Sequence, residues 1–219
     1  MKDITFHGQT FILDPSGILI WPSQKIAIVA DLHLEKASYF ARFGQMLPPH
    51  DSFETLKKLE HSLLFSGCSR LILLGDSFHD EGGFSRLDQN SRNLFEKLCK
   101  SYEVIWVIGN HDGDFVPDNT RAVDEIEIAG LMFRHEAVHG AVSEISGHYH
   151  PKAELNLRGS RVSRPCFIHD NYRMILPAFG TLTGGLNIQD EVISSLFAQN
   201  YMAHLLGEKR IYSVPAHKF

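Results

Sequence analysis

The sequence lacks the features of a membrane, secreted or cysteine-based metal protein. It has only three cysteines in 219 residues, and they form no Cys-x-x-Cys pair. This excludes a cysteine zinc ribbon and predicts free thiols in a reducing compartment. No apolar run approaches the ~20 residues of a membrane-spanning helix. Residues 1–7 lack the basic and apolar regions of a secretory signal. We therefore expect a cytoplasmic protein that does not enter a membrane.

The sequence also has fewer positively charged than negatively charged residues. There are 21 Lys and Arg against 26 Asp and Glu, a net charge of -5 with histidines neutral. This argues against a broad basic surface for nucleic acid. Two bound divalent cations would nevertheless add +4 where a phosphate binds, and change -5 to -1. The net charge is also compatible with a small basic surface at one place on the protein. Arg158, Arg161 and Arg164 form one such cluster, as a solvated loop or as a contact with a phosphate backbone.

The first half of the sequence alternates apolar runs with amphipathic segments. Three apolar runs predict buried strands, at residues 25–30, 70–74 and 103–108. Between them we expect two helices, one capped by Asp51 and ended by Gly67, the other capped by Ser85. Short antiparallel strands are expected within residues 4–21. The strand–helix alternation predicts right-handed crossovers and a mainly parallel sheet.

The second half, after residue 115, consists mostly of short apolar runs joined by turns, which predict a second, mostly antiparallel sheet. The runs lie at residues 121–128, 130–134, 142–146, 153–158, 165–169 and 172–176. Residues 190–206 fit a helix, and residues 211–214 fit a last strand. Length and the absence of internal repeats or linkers predict a single domain over residues 1–219.

Polar clusters follow the apolar runs, each where a predicted strand ends. They are Asp31-Leu32-His33, Asp76, Asn110-His111-Asp112, His135 and Gly147-His148-Tyr149-His150. Ligands bind beyond the carboxyl ends of strands in open α/β sheets, so we expect these side chains to converge. Mixed oxygen and nitrogen donors without thiolate suit Mn, Fe or Zn. Seven ligands exceed one tetrahedral site and predict two divalent ions that share a carboxylate.

Each cluster alone has an ordinary explanation. Asp31 and Asp76 suit helix caps, Asn110 suits a turn, and an isolated His135 suits a hydrogen-bonded interior position. Capping and turns do not explain the additional histidines at 33, 111, 148 and 150. The choice between His135 and His139 as the strand-end ligand stays open, with His135 favoured because it directly ends its apolar run.

In this order the five motifs resemble the calcineurin-like metallophosphoesterase superfamily. The resemblance implies an α/β fold, a two-sheet α/β/β/α sandwich of the metallophosphoesterase type with mixed sheets flanked by helices. It implies two divalent ions, with Mn expected before Fe or Zn. The segments around the motifs, including Asp31–Lys36, Gly75–Asp80 and Pro177–Gly185, resemble the bacterial ligase-associated DNA damage response endonuclease group.

The resemblance also implies a role for each site residue. The first metal would bind Asp31, His33, Asp76 and His150, and the second would bind Asp76, Asn110, His135 and His148. A hydroxide between the ions would attack phosphorus in line. His111 would protonate the leaving oxygen, and Asp112 would orient His111.

The expected activity is that of a phosphodiesterase or endonuclease acting on DNA in repair, beside a DNA ligase and a helicase. His79 is a candidate contact for the substrate phosphate, with support of the metal ligands as the alternative. Arg42 is also a candidate substrate contact, although Arg42, Phe40 and Phe43 are expected first as packing or loop residues. Residues 177–187 predict a glycine-permitted loop near the site. One alternative is a phosphoesterase for small nucleotides or cyclic nucleotides, and another is an inactive scaffold. The sequence leaves the oligomeric state open.

Overall fold

The computed structural model describes residues 1–113, 115–118, 120–157, 160–197 and 200–219, which form two β-sheets packed against each other. The first sheet has the order β1-β2-β3-β4-β5-β6-β7. Its strands are β1 (Lys2–Phe6), β2 (Gln9–Leu13), β3 (Leu19–Trp21), β4 (Ile26–Val29), β5 (Arg70–Leu74), β6 (Glu103–Val107) and β7 (Thr120–Val123). Strands β1 to β4 pair antiparallel, and β4 to β7 pair parallel. The predicted parallel core and antiparallel entry are both confirmed.

Strand β4 shows why its sequence is apolar throughout. Ile26 and Ile28 point into the core between the sheets, while Ala27 and Val29 point into the core beneath the helices. Successive side chains of a strand face opposite sides, so a strand covered on both faces needs an unbroken apolar run.

The helices that cover the first sheet are α1 (Lys36–Ala41), α2 (Asp51–Ser66), α3 (Gly83–Arg86) and α4 (Gln89–Ser101). Leu56, Leu59 and Leu63 of α2 are buried on the sheet. Helix α2 ends as predicted at Gly67, which has a φ of 68°.

Both predicted helix caps are wrong. His50 precedes α2, and Asp51 is its first helical residue; the Asp51 carboxylate instead accepts a hydrogen bond from Ala37 N at 3.1 Å. Ser85 lies inside α3, and Asp88 caps α4 by accepting the N–H groups of Asn90 and Ser91. These choices depend on how the preceding chain enters each helix, which tertiary packing decides.

The second sheet has the order β15-β14-β12-β13-β10-β9-β8, with β11 paired to β12. Its strands are β8 (Glu125–Ile128), β9 (Leu131–Arg134), β10 (Glu144–Ser146), β11 (Lys152–Leu157), β12 (Ser160–His169), β13 (Arg173–Ile175), β14 (Met202–Leu206) and β15 (Ile211–Pro215). Most pairs are antiparallel as predicted, but β9, β10 and β13 are parallel neighbours. The run at 121–128 is divided, because its first part joins the first sheet as β7.

The helix predicted over residues 190–206 is wrong for most of its length. Only α5 (Glu191–Ser194) is helical there among the described residues, and residues 202–206 form β14. Strand β14 pairs with β12 on one side and β15 on the other. Ala203 and Leu205 are buried beneath it. Pairing with distant strands overrides the local helical pattern.

Three apolar layers result: one between the helices and the first sheet, one between the sheets, and one on the outer face of the second sheet. The predicted class, mixed sheets flanked by helices, is confirmed. The outer layer of the second sheet contains only α5 as an α-helix within the described ranges. No described helix has the length and apolar character needed to cross a membrane.

Candidate metal centre

The predicted ligand segments meet beyond the carboxyl ends of β4, β5, β6, β9 and β10. Backbone hydrogen bonds connect them to one another. His33 N donates to Asp76 O at 2.9 Å, Asp31 N donates to Gly75 O at 3.1 Å, and Gly147 N donates to His135 O at 2.9 Å. The convergence expected from strand ends is therefore present in the fold.

One group of ligand atoms comes from Asp31, His33 and His150, whose donor atoms lie within 4.8 Å of one another. The Nε2 atoms of His33 and His150 are 3.2 Å apart. Asp31 Oδ1 lies 3.4 Å from His150 Nε2. Asp31 and His33 are buried and His150 is half-buried, so the group opens toward solvent on one side.

A second group comes from Asp76, His135 and His148, again within 4.8 Å. His135 Nε2 lies 3.4 Å from Asp76 Oδ2, 3.1 Å from His148 Nδ1 and 3.0 Å from Asn110 Oδ1. Asp76 Oδ2 is also 3.8 Å from His33 Nε2 of the first group. This oxygen therefore lies between the two groups, where a bridging ligand is needed.

The geometry fits two divalent ions. Ligands bound at about 2.0–2.2 Å to one ion lie roughly 3–3.5 Å from each other, and the closest donor pairs here are 3.0–3.4 Å apart. His135 Nδ1 faces Leu74 O at 3.3 Å, which directs the lone pair of Nε2 toward the group. The seven predicted ligands thus lie in two neighbouring groups, and their coordination stays a prediction.

The buried charges perturb the acid–base properties of the groups. Burial, with the neighbouring His150, lowers the pKa of His33 to about 2. Burial would raise the pKa of Asp76, but hydrogen bonding to His135 and nearby imidazoles lower it to about 2. Burial would lower the pKa of His135, but Asp76 and Asp31 raise it to about 9. Metal binding at the second group requires the neutral form of His135.

The backbone at the site is held in an unfavourable conformation. Five of the seven predicted ligands have a positive φ: Asp31 (55°), His33 (44°), Asp76 (48°), His148 (71°) and His150 (47°). Residues other than glycine seldom adopt this left-handed region, and strain of this kind is concentrated at functional sites. The His150 imidazole lies in the first group and the His148 imidazole lies in the second.

Gly75 shows why a glycine precedes a ligand. A Cβ atom on Gly75 would lie 2.1 Å from His135 Nδ1, and its φ is 78°. Only glycine permits both the turn and the approach of the imidazole. The Gly-Asp motif thus provides Asp76 as one ligand and space for another.

His111 lies at the rim of the site. Its backbone N donates to Asp76 Oδ1 at 3.0 Å, its Nε2 is 3.9 Å from Asp76 Oδ2, and its side chain is 42% exposed. The His111 ring is therefore accessible to solvent beside the Asp76 carboxylate.

Asp112 accepts hydrogen bonds from backbone groups of two loops, and the orienting role toward His111 stays a prediction. Its buried carboxylate accepts hydrogen bonds from the backbone N–H groups of Ser77 at 2.8 Å, Phe78 at 3.1 Å and Gly109 at 2.9 Å. Oδ1 accepts from Ser77 and Phe78, and Oδ2 accepts from Gly109. Asp112 therefore connects the loop after β5 to the loop after β6.

The two tentative substrate residues lie on one side of the site. The ring of His79 lies 5.4 Å from that of His33 and stacks on His111 at 5.5 Å. Arg42 lies farther out and pairs with Asp80 at 3.5 Å. His139 is exposed and borders a separate cavity with Tyr172, so the structure places His135, and not His139, beside the ligand groups.

The loop over residues 177–187 is bound to the first ligand segment. Phe179 N donates to Ala30 O at 2.8 Å, and Gly180 N donates to Asp31 O at 3.1 Å. A Cβ atom on Gly180 would lie 2.2 Å from Leu32 O, so glycine is required for this contact. Lys58 supports the loop from α2 by donating to Phe179 O at 3.0 Å. The loop therefore holds the Asp31 segment in place.

Sequence reasoning missed two lysines beside the site. Burial lowers the pKa of Lys36, Asp51 opposes this, and the nearby Lys152 ammonium lowers it further. The Lys36 ammonium also lowers the pKa of His33 and the pKa of His79. Lys36 lies three residues after His33, and Lys152 lies two residues after His150. This proximity to predicted ligands is the signal that could have identified both lysines. Together they provide local positive charge on a chain of net charge -5.

The arginine cluster predicted near residue 160 lies on the β11–β12 hairpin and not in the ligand groups. Arg161 forms an ion pair with Glu154 across the hairpin, and Arg164 lies on β12. Arg158 lies outside the described residues.

Comparison with known proteins identifies the family. The sequence matches the calcineurin-like phosphoesterase family over residues 24–180. A nuclease from Pseudomonas putida, MPE, has a similar structure, with a TM-score of 0.75 and 27% identity over 97% of this chain and 99% of that chain. An uncharacterized predicted phosphoesterase from Streptococcus pneumoniae has a TM-score of 0.35 and 13% identity over 87% and 95% of the two chains, which is too low to support an argument. A search of curated proteins found no significant match.

The family match covers well over half of the chain and includes every predicted ligand and His111. The fold has the two mixed sheets expected of that family, and its strand ends form two candidate metal groups. The chain belongs to the calcineurin-like phosphoesterase family and is a metal-dependent phosphoesterase.

Proposed function

We propose that the protein is a dinuclear phosphodiesterase that cleaves DNA. The observation that carries the proposal is the pair of ligand groups joined by Asp76 Oδ2, with His111 at their rim. The likeness to the Pseudomonas nuclease over nearly the whole of both chains supports nucleic acid as the substrate. Lys36 and Lys152 add positive charge where a phosphodiester would approach.

The side chains have distinct proposed roles. Asp31, His33 and His150 would hold one ion, and Asn110, His135 and His148 the other, with Asp76 shared. Two such ions supply Lewis acidity toward the phosphoryl oxygens and a nucleophile of lowered pKa. Oxygen and imidazole donors suit manganese, iron or zinc, and the resemblance to the superfamily leads us to expect manganese first.

His111 is the proposed general acid. Its backbone is fixed by the hydrogen bond to Asp76 Oδ1, while its ring stays accessible. A proton on this ring would pass to the leaving oxygen as the P–O bond breaks. His79, stacked on His111, would contact a phosphate oxygen of the substrate.

The finer biological context rests on the motif-flanking segments that resemble the ligase-associated endonuclease group. On that basis we propose action in DNA repair in the cytoplasm, beside a DNA ligase and a helicase.

The test uses purified protein loaded with manganese. It should cleave both bis-p-nitrophenyl phosphate and single-stranded DNA. His111→Ala should lower kcat by about 10²- to 10⁴-fold while the bound metal content stays at that of the wild type. Phe65→Ala, an exposed aromatic change on α2, is the matched control. Cleavage of small monoesters without any cleavage of DNA would overturn the proposal.

A phosphoesterase for small nucleotides is the second candidate, and the net charge of -5 favours it. Competition by nucleotides, with no retention of DNA at low salt, would support this alternative. The inactive scaffold has no support, because none of the seven predicted ligands is missing.

A further inference from the structure

A row of aromatic rings leads from the metal groups to the surface. His79 lies 5.4 Å from the ring of the ligand His33. Tyr39 lies 4.8 Å from His79, and Phe43 lies 5.3 Å from Tyr39. Each ring is thus in contact distance of the next, and the row begins at a predicted metal ligand.

The outer end of this row is unusually open for an aromatic side chain. Phe43 is 64% exposed, and Met46, three residues further along the chain, is 85% exposed. The sequence predicted that Phe43 would be a packing or loop residue. A packing role does not account for a phenyl ring that presents most of its surface to water at the outer end of a row of rings that begins at His33.

Cationic groups accompany the rings. The Arg42 guanidinium lies 5.9 Å from the centre of the Tyr39 ring, and its side chain is 56% exposed. Lys36 begins the same helix, α1. Aromatic rings interleaved with cationic side chains are the combination that binds single-stranded nucleic acid, because bases stack on the rings while the cations attract the phosphates.

We propose that Tyr39 and Phe43 form a stacking platform for an unpaired base next to the scissile phosphate, with Arg42 beside the adjoining phosphate. This rests on the proposed function and adds a base-binding subsite to it. Continuity with the metal groups through His79 is what assigns the occupant as part of the substrate, and not as a separate protein partner.

The experiment uses a manganese-loaded full-length chain and a single-stranded oligothymidylate with one abasic nucleotide. Cleavage at every bond is resolved on a sequencing gel. With the wild type, cleavage should fall by about 5- to 150-fold at a bond with a fixed offset from the abasic position, the range expected for losing one base–aromatic stack. Phe43→Ala should cleave the normal oligonucleotide more slowly and should show no such local fall.

Phe65→Ala is the control for removing an exposed ring, and it should give the wild-type cleavage pattern. If Phe43→Ala keeps the same local fall as the wild type, or if the wild type shows none, the platform is refuted. Absence of any DNA cleavage by the wild type would refute the proposed function itself, and the platform with it.

Discussion

The left-handed backbone at the ligand positions predicts that glycine is better tolerated than alanine there in the metal-free protein. His148 and His150 have φ values of 71° and 47°. An L-residue in this region costs about 1–2 kcal/mol because of its Cβ atom. Glycine avoids this cost but loses roughly 0.5–1 kcal/mol through its freer unfolded chain. The net advantage of glycine is therefore about 0–1.5 kcal/mol per position, with a midpoint of about 0.75 kcal/mol.

The double variant with glycine at both positions should be more stable than the double alanine variant by about 1–2 kcal/mol. For a chain of this size that corresponds to a Tm higher by roughly 2–8 °C. Both variants lose the same imidazoles and both should be inactive, so the comparison isolates the Cβ atoms. Urea and thermal unfolding in EDTA provide the measurement.

Lys97, on the exposed face of α4, supplies the matched control. There Lys97→Gly should be less stable than Lys97→Ala by about 1 kcal/mol, because an ordinary helical position favours alanine. Equal stability of the glycine and alanine pairs at 148 and 150, or greater stability of the alanine pair, would refute the claim that the ligand segments hold a strained backbone.

Three further predictions concern the bridge, the loop connection and a buried lysine. Asp76→Asn should weaken binding of both ions because its Oδ2 lies between the two groups, whereas Asp31→Asn should affect one; metal content measured by mass spectrometry tests this, and the same loss in both variants would contradict it. Asp112→Asn should lower the free energy of unfolding by about 1–3 kcal/mol, because an amide cannot accept all three buried N–H groups; unchanged urea unfolding would contradict the positioning role. Burial lowers the pKa of Lys58 from 10.5 to about 8, although Asp14 opposes this. The folded state therefore binds fewer protons than the unfolded state between these values, and the stability of the wild type relative to Lys58→Met should rise as pH increases from about 8 to 10.5. A flat difference across that range would show that the Lys58 ammonium is not penalised in the fold.

The sequence alone determined the family and the location of the site. Short apolar runs such as residues 70–74 favour strands covered on both faces, and polar side chains directly after parallel strands share one edge of the sheet. Asp31, Asp76 and Asn110 could therefore be grouped from the sequence. The donor residues can be recognised locally because each follows an apolar run, and the parallel order of the strands brings the strand ends together.

Local patterns failed where partners distant in the chain decide the outcome. Residues 202–206 match a helical pattern, yet they form a strand because β12 and β15 offer hydrogen-bond partners on both sides. Asp112 follows His111 directly, but its oxygens are taken by N–H groups of residues 77, 78 and 109. The adjacency of Asp112 to His111 in the sequence did not indicate these backbone partners.

The tertiary structure also decided which of two nearby histidines belongs to the site. His135 is buried beside Asp76, and the glycine at 75 leaves room for its ring, whereas His139 is exposed elsewhere. The aromatic row from His79 to Phe43 likewise exists only in three dimensions. The sequence determined which chemistry the strand ends carry, because strand periodicity and donor type are local properties. Which side chains meet, and which face solvent beside the metals, depends on packing between segments that are far apart in the chain.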